Sequence, residues 1–529
     1  MRNSELPGQS RDHATDSMEV SPAGRPSRSL PGGSRELLAL ALPLILSNAF
    51  MTVQITVDRV LLSWYGPLEV GAAFPAVMMF WLPYGLLQGV AGYVTTFVAQ
   101  YTGALRPHRV GPAVWQGLHF SLITGTLFLG LWLIAPEYIA LGDHDPQMQA
   151  LEVTYFRCLC FCALPMLIVV TISGFFSGRG AAWTVLGINA IGTVVNVIGD
   201  YLLIFGWLGC PRLGIAGAGV ATFAASLVSA TVALVLFFQQ RYRREYATWS
   251  GWRPECELFS RLLRYGGPAG LQFMLEVLAF TLFTMFVGRL GPAAAAATSI
   301  AVTLNMFTFM PMYGMGQAVA ILVGQRLGEG RPDLAERSTQ VGFHWAIGYM
   351  VVIALIFICF PGPLVMLFET DGEAIGELTA AGELISWQDV ATVIPTLLLF
   401  IAIYSLADAA NLVYANALRG AGDTRFVTLI SFSLAWPVMV IPTLLVVRYG
   451  GNLYMAWAFA SLYIVLVAGC CWLRFRAGQW KSMRVIEPAI EELPTGPQAI
   501  IGSSAARPAD YPRTERPPKH AIRPDPLRT

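Results

Sequence analysis

The sequence predicts an all-α membrane protein, with twelve transmembrane helices in two six-helix lobes related by an internal duplication. Three observations predict it. The chain has 529 residues, 55% of them hydrophobic and only 13% charged, with a mean hydropathy of +0.57; soluble domains carry about 25% charged residues. Apolar runs long enough to cross ~30 Å of hydrocarbon number twelve and fall in two sets of six. The second set repeats the first at a near-constant offset.

In chain order, the runs of the first set cover 36–64, 70–100, 111–135, 151–176, 184–206 and 214–239. A polar break, "QQRYRREYATWSGWRPECELFSR", follows. The second set covers 262–289, 293–325, 338–360, 387–417, 426–447 and 453–475. The expected organisation is an N-tail over 1–34, an N-lobe over 35–240, a linker over 241–261, a C-lobe over 262–478 and a C-tail over 479–529. Both tails are rich in Pro, Ser, Gly and Arg and are expected to be disordered. The N-tail lacks the apolar core and small-residue cleavage site of a secretory signal.

Arginine placement orients the bundle. The even-numbered connections hold Arg106, Arg109, Arg179, Arg241, Arg243, Arg244, Arg253, Arg261, Arg264, Arg326, Arg331, Arg337, Arg419 and Arg425. The odd-numbered ones hold only Arg212, Arg289 and Arg448. By the positive-inside rule both termini are expected in the cytoplasm, and the chain in a cell membrane, a bacterial inner membrane being the expected one.

Pro43 aligns with Pro268, Gly66-Pro67 with Gly291-Pro292, and "VAQYTGALRP" (98–107) with "VGQRLGEGRP" (323–332), all 225 residues apart. Further on the offset is 240, pairing Arg179-Gly180 with Arg419-Gly420 and Thr184 with Thr424. The extra residues fit the longer acidic loop around 361–386. An even number of helices per repeat makes the repeats parallel, related by an axis along the membrane normal, an architecture suited to transporters that rock two lobes about a cleft.

Ionisable residues deep in the runs are mainly acids: Asp58, Asp200, Glu276 and Asp408. A buried acid without a basic partner must take up a proton or a cation. Asn196 lies one helical turn before Asp200, so the two share a face. An amide oxygen beside a carboxylate suits a small hard cation or a hydrogen-bonded protonated acid, and Asp58 and Thr222 are candidates to complete that site. In the second half, Tyr404 and Asp408 share a face of the tenth helix, and Glu276 lies in the seventh. Under the repeat offsets Glu276 corresponds to Met51, Asp58 to Phe283, Asp408 to Ile168 and Asp200 to Val440. The two lobes therefore do not repeat one site. Pro43 removes a backbone hydrogen bond and is expected to bend the first helix. The run Met306, Phe307, Phe309, Met310 and Met312 fits either an adaptable pocket or a lipid-facing surface.

"TVDRVLLSWYG" (56–66), "GIAGAGVATF" (214–223) and "NALRGAGDTR" (416–425) resemble the multidrug and toxic compound extrusion (MATE) family, over roughly residues 36–475. The resemblance implies a twelve-helix transporter exporting organic cations and drugs in exchange for Na+ or H+. Asp58, Asn196, Asp200 and Thr222 match the N-lobe cation site of the archaeal and DinF-like branch. Glu276, Tyr404 and Asp408 match positions implicated in coupling in the NorM-like branch. It also associates a bend at the helix-1 proline, here Pro43, with the protonation state of that lobe. The expectation is that the N-lobe acids take the coupling ion, while the C-lobe acids bind cationic substrate or a second ion.

No lysine precedes Lys481, so the core has no P-loop and energy must come from a gradient or a partner. His-Glu-x-x-His is absent, and Cys158, Cys160 and Cys162 fan out around a helix rather than converging on zinc. No cofactor, disulfide or enzymatic activity is expected, and no metal beyond a Na+ at either acidic set. A net charge of +1 argues against nucleic acid. The expected partners are small organic cations and membrane lipids, around a monomer. Two alternatives stand: a lipid-linked oligosaccharide flippase of the same superfamily, which would need basic cavities, and an intramembrane aspartyl enzyme using Asp200 and Asp408.

Overall fold

Proline and glycine punctuate the chain into helices. The structure, a computed structural model, describes residues 32–142, 144–366, 368, 374–378 and 384–488. Among them, twelve helices are long and apolar enough to span a bilayer. They are α1 Ser34–Tyr65, α2 Pro67–Gly103, α3 Pro107–Leu133, α4 Pro146–Gly178, α5 Ala182–Phe205 and α6 Ile215–Phe237 in the first half. In the second half they are α7 Cys256–Gly288, α8 Pro292–Gly328, α9 Pro332–Cys359, α10 Trp387–Ala421, α11 Thr424–Arg448 and α12 Leu453–Arg476. Pro67, Pro107, Pro292 and Pro332 each open a helix, where the missing N–H costs nothing and the fixed φ suits the first turn. These four prolines are two of the repeat pairs read in the sequence. The long loop after α9 holds a short antiparallel hairpin, β1 (Ala374–Leu378) and β2 (Leu384–Ser386), an addition to the otherwise all-helical architecture.

Helix packing repeats with the sequence. Within the first half α1 packs on α5, α2 and α3 on α4, and α4 and α5 on α6; in the second half α7 packs on α11, α8 and α9 on α10, and α10 and α11 on α12. The halves meet through α1 on α8 and through α2 on α7, which are the same contact seen from either side of the pseudo-two-fold. The crossing at α2–α7 is close: a Cβ added at Gly89 would fall 2.4 Å from the Gly270 Cα. Such small residues let apolar helices approach where no water is expelled to drive them together.

These contacts concentrate at one end, the end carrying the arginine-rich connections. There Leu37, Ala41 and Leu44 of α1 join the C-lobe core with α8 and α10, and Leu258 and Leu262 of α7 join the N-lobe core. Each lobe thus receives the first turns of the other's leading helix. Gln100 donates to the Gly420 carbonyl at 3.1 Å, and its repeat mate Gln325 donates to the Gly178 carbonyl at 2.8 Å. Arg326 of α8 pairs with Glu36 of α1 and, at 2.8 Å, with Glu329. Toward the opposite end Met51, Val53, Met306 and Phe307 are exposed. The lobes are stitched at the arginine-rich end and part beyond their midpoint.

Two boundaries differ from the sequence reading. α7 begins at Cys256, inside the expected linker, because Leu258 and Leu262 are one turn apart and both bury in the N-lobe core. The remaining linker holds a short helix, Gln240–Glu245, and a turn at Ser250–Trp252. The disordered C-tail expected from 479 does not hold for 479–486: Gln479–Ser482 forms a turn of 3-10 helix, and Trp480, Val485 and Ile486 are buried. The N-tail up to 31 and the chain from 489 lie outside the described residues.

Candidate functional site

Two acidic clusters are built, one in each lobe, at different depths. In α5 the residues Ile188, Gly192, Asn196 and Asp200 repeat every four positions and form the buried stripe. Asp200 and Asn196 are fully buried on it. α1 packs along this stripe and brings Asp58, itself buried, close enough to interact with both side chains. α6 supplies Thr222, whose hydroxyl accepts from Asn196 Nδ2 at 3.3 Å and donates to the Ala218 carbonyl at 3.0 Å. The structure therefore brings together Asp58, Asn196, Asp200 and Thr222. Seven residues, or ~10 Å of helix, separate Asp58 from the end of α1 away from the arginines.

The oxygens of this cluster are short of donors. Oδ1 of Asp58, both carboxylate oxygens of Asp200 and Oδ1 of Asn196 are buried and accept no hydrogen bond. Arg59 follows Asp58 in the chain and lies within electrostatic range of it, but its guanidinium sits over Phe74, 5.1 Å from the ring centroid, and makes no salt bridge with Asp58. A surface pairing of Asp58 with Arg59 is therefore not what the fold makes. Two carboxylates facing one another in low dielectric cannot both stay charged unless something positive sits between them. Three carboxylate oxygens and an amide oxygen form a donor set suited to a hard cation, and the same pair suits a shared proton. Tyr155 of α4 lies beside both acids.

In the C-lobe, Asp408 of α10 lies within electrostatic range of Glu276 of α7, and Tyr404 is buried one turn before Asp408. Gln272 fixes Glu276 by donating to its Oε1 at 2.7 Å, and reaches the Ser431 hydroxyl of α11 at 3.1 Å. Asn411 donates to Asp408 Oδ1 at 3.4 Å. Tyr463 of α12 sits beside Ser431, Glu276 and Asp408. Among the described residues none of the four intramembrane acids forms an ion pair. Asp200 lies against Asp58, and Asp408 has Asn411 and, within electrostatic range, Glu276, so Asp200 and Asp408 are not the facing pair that an aspartyl enzyme needs.

Sequence reasoning missed Tyr155, Gln272, Asn411, Ser431 and Tyr463. Gln272 and Asn411 carried a signal, each being an amide within one turn of a named acid. Tyr155, Ser431 and Tyr463 lie on α4, α11 and α12, which carry none of the four acids. Where the N-lobe has acids, the C-lobe has core: Phe283 and Val440, the repeat mates of Asp58 and Asp200, are buried apolar residues.

Between α1 and α8 lies a cavity of about 260 Å3 lined by Ile45, Ala49, Val53, Val57, Phe307 and Met310 among others. Thr52 and Thr56 also line it, but their hydroxyls donate to backbone carbonyls one turn back, at 3.2 and 2.9 Å. The aromatic and thioether run of α8 is thus divided. Phe307 and Met310 face the cavity, Met306 is exposed, and Met312 is buried in the C-lobe core. Phe309 stacks on Tyr313, with centroids 6.1 Å apart. Pro43 is buried inside α1, which continues through it as a helix.

The twofold build has a counterpart in comparison with known proteins. The MatE family profile matches this chain twice, over residues 43–202 and 268–445, and the two matches start at the repeat pair Pro43 and Pro268. A curated relative described as "Probable multidrug resistance protein NorM" from Mesorhizobium japonicum is 26% identical over 451 residues, covering 83% of this chain and 93% of the relative. One of the same description from Shewanella oneidensis is 25% identical over 428 residues, covering 78% and 89%. Among solved structures, a MOP superfamily transporter from Pyrococcus furiosus superposes with a TM-score of 0.74 at 19% identity, covering 85% of this chain and 97% of that one. The eukaryotic MATE transporter AtDTX14 gives 0.73 at 16%, covering 84% and 96%. Its repeated six-helix lobes, its intramembrane acids and a family match across most of both halves place this chain in the MATE family of multidrug transporters.

Proposed function

We propose that this chain is a secondary antiporter that exports organic cations, including cationic drugs, in exchange for Na+ or H+, by alternating access of its two lobes in the cell membrane. Asp58, Asn196, Asp200 and Thr222 carry the coupling ion. Glu276, Tyr404 and Asp408 bind the positive charge of the substrate or a second ion. The apolar wall between α1 and α8 takes the lipophilic part of the substrate. The observation that carries the reading is the facing pair Asp58 and Asp200, buried with oxygens that accept no hydrogen bond. A pair that needs a positive partner in one state and releases it in another biases a two-state equilibrium by the difference in affinity. Interior charge of acidic sign also favours cationic substrates over the pyrophosphate of a lipid-linked sugar.

The test is efflux of a fluorescent cation from cells expressing the full chain. It is driven by a Na+ gradient at fixed pH, and separately by a pH gradient without Na+. Asp200→Asn is expected to abolish the driven component under whichever gradient works for the parent chain. Full transport by Asp200→Asn overturns the assignment of the coupling site, and absence of efflux by the parent chain under either gradient overturns the antiport reading.

A further inference from the structure

The chain beyond α12 crosses from one lobe to the other. Trp480 is fully buried in the C-lobe core, stacks on Phe475 at 4.7 Å between centroids, and donates its indole N–H to the Phe475 carbonyl at 2.8 Å. Five residues later, Val485 and Ile486 belong to the N-lobe core together with Leu258 and Leu262. The Val485 backbone N–H donates to Gln100 Oε1 at 2.9 Å in a fully buried hydrogen bond. The other end of the same Gln100 amide donates to the Gly420 carbonyl of α10. One buried side chain of α2 thus ties together α10 and the segment after α12. That segment also seats against the turn between α10 and α11. Gly422 there has φ of +106°, and a Cβ on it would lie 2.9 Å from Val485 Cγ1.

The duplication shows that this feature is not inherited from the repeat. After α6, the corresponding chain folds back on its own lobe. The Tyr246 carbonyl accepts from the Gly111 N–H at 2.9 Å, and the Thr248 carbonyl accepts from the Trp115 indole at 2.8 Å, both within α3. Gln325, the repeat mate of Gln100, reaches Gly178 alone, with no strap on its carbonyl oxygen among the described residues. Of the two segments that follow a lobe's last helix, the one after α12 crosses and the one after α6 does not, and the crossing lies at the end where the lobes meet. For the lobes to part there, Val485 and Ile486 must leave an apolar core and the Gln100 amide must give up a buried partner. Both are costs met only on opening.

We propose that residues 480–486 form an interlobe strap, and that Gln100 and Val485 are positioning residues for transport, holding the lobes closed at the arginine-rich end while the cleft faces the other side. The proposal rests on the alternating-access reading, but not on which ion drives it or on the role of Asp200. The test uses the full chain with exposed Cys256 and Cys359 replaced by Ser. Spin labels are placed on Trp183→Cys at the start of α5 and Arg425→Cys at the start of α11, both exposed and on different lobes. Interlobe distances are measured by pulsed electron resonance without substrate or gradient, so the result is readable whatever becomes of the coupling site. Val485→Asp is expected to move population from the short to the long distance. Gln100→Leu, which carries no charge and keeps the side-chain bulk, is expected to do the same and carries the test should Val485→Asp not fold. Arg331→Gln is the control, because Arg331 lies outside the strap and pairs locally, with Asp333 at 3.5 Å, both exposed; it is expected to leave the distribution unchanged. Unchanged distances in the folded strap variants overturn the proposal, and so does an equal shift in Arg331→Gln.

Discussion

At the scale of single residues, the decisive fact is that Asp58 and Asp200 face one another, with Asn196, Thr222 and Tyr155 close by. Replacing either carboxylate by its amide removes the charge that needs a partner while keeping the shape. Asp200→Asn is therefore expected to abolish ion-driven efflux and Asp58→Asn to cut it by about tenfold or more, a coupling loss of about 1.4 kcal/mol, each with little loss of folded protein on gel filtration. Asn196→Ala, which removes one ligand oxygen and the bond to Thr222, should weaken coupling less than either acid change. If Na+ is the ion, saturating Na+ at fixed pH should raise the melting temperature of the parent chain, because a ligand that binds only the folded state adds about 2.7 kcal/mol at a hundred times its Kd. The same addition should leave Asp200→Asn unmoved; an equal rise in both would place the bound Na+ elsewhere. Asp58, Asn196, Asp200 and Thr222 were legible in the sequence because a polar side chain in an apolar helix is costly and stands out. Tyr155 and Tyr463 were not, since a tyrosine in a membrane helix reads equally well as interface or core until the fold puts its ring beside an acid.

At the scale of elements, the helices were legible in number and in most of their ends, because hydropathy sets the span and Gly-Pro pairs set the starts. The misplaced boundaries share one cause. The first turns of α7 carry Glu257, Arg261 and Arg264, so their average reads as linker, yet one face of Leu258 and Leu262 suffices to anchor them. Residues 479–486 carry four apolar residues, three of them buried, in a stretch too short to show a period. Both segments are ordered by tertiary contacts that a local window does not contain. The α2–α7 crossing permits a direct test of packing. Gly89→Ala places a methyl 2.4 Å from the Gly270 Cα, which only separation of the helices relieves, and overpacking of this kind costs about 1–3 kcal/mol. The variant is expected to melt lower and to weaken closure at the arginine-rich end. Unchanged stability with unchanged transport would mean that the two helices do not bear on each other this closely.

At the scale of the molecule, the duplication read from proline and glycine pairs becomes a pseudo-two-fold that pairs α1–α8 with α2–α7. The crossing over of the leading helices was not visible in the sequence, because a repeat specifies what packs within a unit and leaves open how two units share their ends. This exchange has a mechanical consequence. Since α1 joins the C-lobe core over its first turns but carries Asp58 into the N-lobe further on, a change of charge at Asp58 acts on a helix held by both lobes, with Pro43 buried within the C-lobe attachment. The direction of the cleft then follows from the charges. With fourteen arginines read in the connections on one side and three on the other, the positive-inside rule predicts a cytoplasmic stitched end and an outward-facing parted end. A cysteine at Val53 or Phe307, both exposed beyond the stitched region, should therefore react with a membrane-impermeant thiol reagent added to intact cells. One at Ala318, fully buried among α8 contacts near the arginines, should not react. A tag at the C-terminus should stay protected from external protease. Labelling at Ala318 without labelling at Val53 and Phe307 would reverse the orientation, and with it the side from which the acidic clusters are loaded.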